Sequence, residues 1–162
     1  MEKELNVVGT RVPMLDAALK AKGAALFTDD LVLPGMLHGR ILRSPMPHAR
    51  VRYIDTSRAE KLPGVKGVVT GRDIPDRRYG IVPKAKDERA LARDKVRYIG
   101  DDVAAVCAVD PETAEEALAL ITVEYEALPA VFDPLEAKKE GAPLIHEGVK
   151  NNTSFFIRKE FG

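Results

Sequence analysis

Histidine and cysteine side chains are the residues of this 162-residue chain whose types could bind a metal ion. The histidines are His38, His48 and His146, and none of them stands within metal-ligand spacing of another or of Cys107. A zinc site needs about four ligands of this kind. The sequence therefore predicts no metal site built within the chain, with His38 on a strand, His48 in a turn and His146 in a surface loop.

The single cysteine, Cys107, could act as a nucleophile only if a nearby cation or helix N-terminus favoured its thiolate. Its neighbours are Val106 and Ala108, in the most apolar strand-like stretch of the chain. We expect a buried thiol that behaves as a small hydrophobic side chain. A lone cysteine also excludes an internal disulfide and suits a reducing compartment.

Two pairs of adjacent carboxylates, Asp29-Asp30 and Asp101-Asp102, could act together only if their side chains met. Neighbours on an extended chain point in opposite directions, so turn and capping roles are expected instead. The glycine segments at 9–11 and 64–67 lack the spacing of phosphate-binding loops. We therefore predict no catalytic, cofactor-binding or metal-binding residue in this chain.

The stretch 71–93, with the few residues after it, is densely charged, and we expect an irregular surface loop here with a short strand near Ile81-Val82. Its cations could meet an anionic substrate tail such as that of coenzyme A. Acids are interleaved with them, which favours a solvated face of mixed charge. The cations are Arg72, Arg77, Arg78, Lys84, Lys86, Arg89, Arg93, Lys95 and Arg97, and the acids are Asp73, Asp76, Asp87, Glu88 and Asp94.

The charge balance of the whole chain narrows the function classes. Lysine plus arginine equals aspartate plus glutamate at 25 each, which argues against a nucleic-acid or polybasic membrane-surface binder. No apolar run approaches the roughly 20 residues of a membrane span, and the N-terminus lacks the apolar region of a signal peptide. We expect a soluble cytoplasmic domain.

The strongest structural pattern is a strand–helix–strand unit at about 103–126. Residues 103–109 are apolar on both faces, which predicts a central strand covered on both sides. Asp110 and Pro111 suit a helix N-terminus, and residues 121–126 alternate as a half-buried strand does. A crossover of about eleven residues predicts a parallel connection and therefore mixed sheets in an α+β fold.

Shorter elements surround this unit. The chain ends on Phe155, Phe156, Ile157 and Phe161, an apolar strand-like segment that needs a partner. We expect that partner downstream, and self-association or a disordered tail in its absence. The other predicted strands are 36–43, 50–54, 65–70 and 95–99, and the other predicted helices are 14–22, 55–61 and 134–140.

Several stretches resemble the first domain of the molybdenum-binding subunit of the xanthine dehydrogenase/aldehyde oxidase family. They occur in the family's order over most of residues 8–152, and the tract 79–96 is most similar to the 4-hydroxybenzoyl-CoA reductase branch. Asp102 departs from the family, which often has proline there. The matching stretches are LHGRILRSP at 37–45, PHAR at 47–50, IDTS at 54–57, PGV at 63–65, VRYIG at 96–100, VAAV at 103–106 and AEEALALITVEYEALP at 114–129.

This resemblance implies an α/β-hammerhead domain at 14–150, after an extension at 1–13 and before a linker or strand at 151–162. It places the molybdopterin-binding domain and the catalytic glutamate downstream, and FAD and 2Fe-2S clusters in partner domains or subunits. The chain alone is then expected to bind no cofactor and to be inactive, with a structural or assembly role. A stand-alone binding or interaction module that kept this fold is the alternative.

Overall fold

A computed structural model describes residues 7–81 and 86–162, and the chain divides into two units, Met1–Met36 and Leu37–Gly162. In the first unit, helix α1 spans Ala17–Ala21 and a 3-10 turn spans Thr28–Asp30. None of the described residues of this unit is buried. Its structure therefore rests on local hydrogen bonds, and the predicted helix within 14–22 is confirmed.

The second unit is built on two three-stranded antiparallel sheets, which we call the first and second sheet. In the first sheet, β5 lies between β1 and β3, and in the second, β2 lies between β4 and β6. The strands are β1 (His38–Arg43), β2 (Ala49–Asp55), β3 (Val65–Thr70), β4 (Lys95–Val96), β5 (Asp102–Ala108) and β6 (Thr122–Ala127).

Helices α2 (Ser57–Glu60) and α3 (Pro111–Leu120) pack against each other and against the first sheet. Their contact residues include Ala59 and Ala117, both fully buried, and these small side chains let the helices lie close to the strands. Val106, at the centre of β5, belongs to the same core cluster. A further short helix, α4, spans Pro134–Ala137.

A second core cluster joins the second sheet to the start of β5. It contains Val51, Val96 and Val103, with Ala92 from the loop before β4. Ile54 and Val123 pack against both clusters, so the two sheets of this unit share one interior. The α+β fold class is confirmed.

The N-terminus of α3 is capped as the sequence predicts. The Asp110 carboxylate accepts hydrogen bonds from the Thr113 backbone N–H at 2.7 Å and from the Thr113 hydroxyl at 2.9 Å. We expect Asp110→Ala to lower the free energy of unfolding by about 1 kcal/mol, the usual cost of losing such a cap. Urea denaturation followed by circular dichroism measures this. Glu116→Gln, exposed in the second turn of the helix and outside the cap, is the control, and an equal loss in both variants would contradict the assignment.

The predicted parallel crossover is wrong, because every strand pairing in the described residues is antiparallel. Helix α3 carries the chain from β5 in the first sheet to β6 in the second. Both edges of β5 are already paired with β1 and β3, so β6 cannot lie beside it. The sequence pattern predicted β5, α3 and β6 correctly, but it placed β6 in the wrong sheet.

The prediction that Cys107 is buried is also wrong. Its side chain is half-buried, as is that of Ala105, because the helices cover only the opposite face of β5, where Ala104 and Val106 lie. Strand β4 is shorter than the predicted strand 95–99. The Arg97 backbone N–H donates to the Asp101 carboxylate at 2.9 Å, a turn interaction that takes the place of a ladder bond.

The stretch 71–93 is irregular in its described part, with one isolated antiparallel bridge between Tyr79 and Glu88. Of the short strand predicted near Ile81-Val82, Ile81 lies in a bend and Val82 falls outside the described residues. Gly71 is required where this loop leaves β3, because a Cβ there would collide with the backbone of Ala92, near the end of the loop. Among the described residues, no helix is long and apolar enough to cross a membrane.

Candidate functional site

The residues that could have bound a metal lie on separate elements. His38 is on β1 and Cys107 on β5, whereas His146 lies in a loop after α4. Within residues 7–81 and 86–162, no group of three or more His, Cys, Asp or Glu side chains could hold a metal ion. Asp30 accepts from the Phe27 backbone N–H at 2.8 Å, which is the turn role predicted for it.

His48 lies just before β2 and is buried, which its predicted turn position did not indicate. Its Nδ1 lies 2.6 Å from the carbonyl oxygen of Pro129. A carbonyl only accepts, so Nδ1 carries the hydrogen and donates it. The Leu128 backbone N–H also donates to the His48 carbonyl at 2.9 Å. His48 therefore anchors the chain that leaves β6 to the start of β2.

The most concentrated charge chemistry lies beside β4, in a set that we call the β4 charge cluster. Lys95 Nζ lies 2.6 Å from one carboxylate oxygen of Glu147, and Arg97 Nη2 lies 2.8 Å from the other. The side chains of Lys95 and Arg97 are only 11% and 14% exposed. Two nearly buried cations thus share one acid that lies some fifty residues later in the chain. The cluster comprises Asp87, Lys95, Arg97, His146 and Glu147.

The histidine of the cluster contacts the long charged loop. His146 Nδ1 lies 3.2 Å from the Asp87 carboxylate. Within the loop, Arg89 Nε lies 2.6 Å from Asp76, and a second guanidinium nitrogen lies 3.2 Å from the same carboxylate. Bidentate pairs of this kind fix geometry as well as charge. The described loop is therefore cross-linked to itself and to the segment that carries His146.

The cluster shifts the protonation of its members. Burial raises the pKa of the Glu147 carboxyl, but hydrogen bonds from Lys95 and Arg97 outweigh it and bring the pKa down to about 2. Burial lowers the pKa of the His146 imidazole, Asp87 opposes the shift, and Arg97 and Lys95 reinforce it. Glu147 is therefore ionised and His146 neutral at pH 7.

Both shifts predict that acid destabilises the domain. A carboxyl whose pKa falls on folding contributes stability above its unfolded value near 4.5, and that stability is lost as the pH falls towards about 2. The imidazole, whose pKa also falls on folding, costs stability as the pH drops below its ordinary value of 6.5. Because the Glu147 side chain is 66% exposed, solvent screening reduces its share to roughly 1 kcal/mol.

Urea midpoints at pH 7, 5 and 3 measure this dependence. We expect Glu147→Gln to reduce the change in the urea midpoint between pH 5 and 3. We expect His146→Gln to reduce the change between pH 7 and 5. Glu136→Gln, which breaks only an exposed pair with Lys139, is the control. A profile that Glu147→Gln leaves unchanged between pH 5 and 3 would contradict the pairing.

The structure shows acidic partners for three of the cations that could have bound the anionic tail of a substrate. Arg89 is paired with Asp76, and both Lys95 and Arg97 are paired with Glu147. These pairs are those of a protein face of mixed charge. Lys84 falls outside the described residues. The sequence flagged these cations but missed Glu147 as their partner, because an isolated acid in a loop gives no signal of a contact fifty residues away.

The donor set does not fit a molybdenum centre. The described residues offer no cluster of metal ligands, and the nearly buried cations Lys95 and Arg97 are paired with an acid of the chain itself. No step of a molybdenum-dependent reaction can be assigned to these residues. In the part of the chain that the structure describes, the charged side chains beside β4 are paired with one another.

The fold and its site define a small α+β domain of two antiparallel sheets, and the described residues hold no group of three or more side chains that could bind a metal ion. Residues 22–129 match the family model described as "Aldehyde oxidase and xanthine dehydrogenase, a/b hammerhead domain". This match covers well over half of the chain, and the chain belongs to that family. The hammerhead fold inferred from the sequence motifs is confirmed.

Relatives share most of this chain and extend well beyond it. A probable xanthine dehydrogenase subunit of Bacillus subtilis is 44% identical over 133 residues, which are 82% of this chain and 18% of the relative. The nicotinate dehydrogenase large molybdopterin subunit of Eubacterium barkeri is 40% identical over 147 residues, 90% of this chain and 34% of the relative. The chain thus spans about a fifth to a third of the length of these relatives.

A solved structure confirms the fold independently. The aldehyde oxidoreductase from Desulfovibrio gigas aligns with a TM-score of 0.77 and 32% identity, covering 84% of this chain and 16% of that chain.

Proposed function

We propose that this chain serves as the hammerhead domain of the large, molybdenum-binding subunit of a molybdenum-dependent oxidoreductase in the cytoplasm. Its role there is structural, in assembly of the subunit. Family membership and the molybdopterin subunits among its relatives support this. We propose that the intact enzyme acts on an aldehyde, a purine or an aromatic CoA thioester. The 4-hydroxybenzoyl-CoA reductase branch stays a prediction from the tract 79–96.

The observation that carries the proposal is the apolar surface. At the end of the chain, Phe156 and Phe161 are 83% and 91% exposed, and Phe155 and Ile157 beside them are exposed too. Apolar groups gathered in this way mark surfaces that a partner covers. In the first unit no described residue is buried, and its exposed apolar side chains are Val7, Val8, Val12, Met14, Leu15, Leu19, Leu26, Phe27, Leu31, Val32 and Leu33.

The partner we propose is the molybdopterin-binding domain of the same subunit, with FAD and 2Fe-2S clusters carried by neighbouring domains or subunits. Molybdopterin would supply the redox chemistry from that domain. The residues of this chain would position and cover it, and would touch no reacting atom. The substrate pocket then lies outside this chain, since specificity resides in the site and not in the fold.

The isolated chain provides a direct test. We expect it to fold, to carry no stoichiometric molybdenum, iron or zinc, and to show no oxidoreductase activity. Size-exclusion chromatography with elemental analysis of the eluted protein measures the metal content, and an artificial electron acceptor reports activity. Stoichiometric metal in a well-folded sample would overturn the assignment of a purely structural role.

A further inference from the structure

The segment at residues 143–152, which we call the strap, contains no fully buried residue, and it makes ion pairs and hydrogen bonds to the rest of its unit through His146, Glu147 and Asn152. No residue from Thr122 to the end of the chain is buried. Segments with few buried apolar contacts open at a lower free energy than the core around them. The strap therefore depends on its hydrogen bonds and ion pairs to stay closed.

Two separate sets of polar contacts, which we call the two fastenings, connect the strap to the rest of its unit. At one, Glu147 reaches Lys95 and Arg97 of the β4 charge cluster, and His146 reaches Asp87. At the other, Asn152 closes the strap on itself and on α4. Its side-chain amide donates to the carbonyls of Pro143 and Ala137 at 2.8 and 2.9 Å, and its side-chain oxygen accepts from the Ile145 backbone N–H at 2.9 Å.

Open space surrounds the strap. A cavity of about 580 Å³ lies against its Pro143, Leu144 and Glu147, and a cavity of about 190 Å³ lies against its His146. Lys95 lines both cavities, so the two cavities lie next to each other at this side chain. Two further cavities, of about 230 and 180 Å³, are lined by Ile145 and by His146, Glu147 and Val149. Open space therefore lies on several sides of the strap, into which it can move.

From these observations we propose that the strap opens as one body, released when either fastening is lost, and that its opening joins the two cavities and uncovers Lys95 and Arg97. Glu147 acts as a built-in acidic ligand of these cations in the closed form. The Arg97 Nε atom, which is buried without a hydrogen-bond partner among the described residues, also gains access to solvent on opening. This inference concerns the chain itself and stands whether or not the proposed subunit role holds.

Lysine acetylation tests the proposal, because the Lys95 amine is almost covered when the strap is closed. The full chain is treated with an N-hydroxysuccinimide acetate, and the modification rate of each lysine is read by mass spectrometry. In Glu147→Gln we expect Lys95 to react at least 10-fold faster than in the parent chain. Lys66, exposed on β3 and away from every substituted residue, is the internal reference. Glu136→Gln is the matched control, and it should leave Lys95 slow.

A second variant separates strap opening from a local change in the charge of the lysine. Asn152→Gly removes the far fastening without touching a partner of Lys95, and glycine accepts the backbone conformation at this position, where φ is 52°. If the strap moves as one body, Lys95 reacts at least 10-fold faster in this variant too. If Asn152→Gly leaves the Lys95 rate unchanged, or if neither variant alters it, the proposal is overturned.

Discussion

Replacing Val106 with aspartate is expected to unfold the domain at room temperature. Val106 is 2% exposed and lies at the centre of β5, opposite Arg40 on one neighbouring strand and Val68 on the other. A carboxylate there has no partner in the core cluster, and burying such a charge costs several kcal/mol. Domains of this size have only about 5–15 kcal/mol of stability in total. Circular dichroism against urea concentration measures the loss.

The matched control for this substitution is Ala105→Asp, one residue away on the opposite face of β5. That face is not covered by the helices, and Ala105 is half-buried. We expect the control to lose no more than about a third as much stability, because water reaches its carboxylate. Equal losses in the two variants would show that both faces of β5 are covered, as the sequence pattern first indicated.

Replacing the four apolar residues of the terminal segment with serine is expected to abolish self-association of the isolated chain. The segment is exposed, and each of its large apolar side chains contributes about 1.5–3 kcal/mol when it is fully buried in a contact. Even if the four side chains are only partly buried in the contact, their loss weakens association on the order of 100-fold or more. Light scattering coupled to size exclusion should show dimers or larger species for the parent chain, and for the variant a monomer slightly lighter than the parent's 17.7 kDa. The replaced residues are Phe155, Phe156, Ile157 and Phe161.

Phe132→Ser is the control for this experiment, since Phe132 is also exposed but lies outside the terminal segment. It should leave the association unchanged. A parent chain that remains monomeric at every concentration would contradict the interpretation of the terminal segment as a docking surface.

Local pattern predicted the elements of this domain well. The sequence Asp110-Pro111 marks the start of α3 because capping and the fixed φ of proline act within one turn. The alternation after Ile121 marks β6 because the pleat repeats every two residues. In both cases the cause lies within a few residues of the signal, so one sequence is sufficient.

Long-range partners could not be predicted in this way. The pairing of Glu147 with Lys95 and Arg97 and the anchor from His48 to Pro129 join residues fifty or more positions apart. The alternation of apolar and polar residues also could not show which sheet contains β6, because a half-buried strand has the same alternation in either sheet. The half-exposure of Cys107 could not be predicted either, because it depends on which elements cover each face of β5.

The composition and molybdenum content of the natural gene product test the central proposal most directly. The polypeptide that contains this sequence is purified from its source and its mass and metal content are measured. We expect a chain several times longer than these 162 residues, with about one molybdenum atom per chain and with FAD and iron–sulfur partners that copurify. A natural product of this length that carries no molybdenum and copurifies with no such partner would contradict the proposal and favour a stand-alone module.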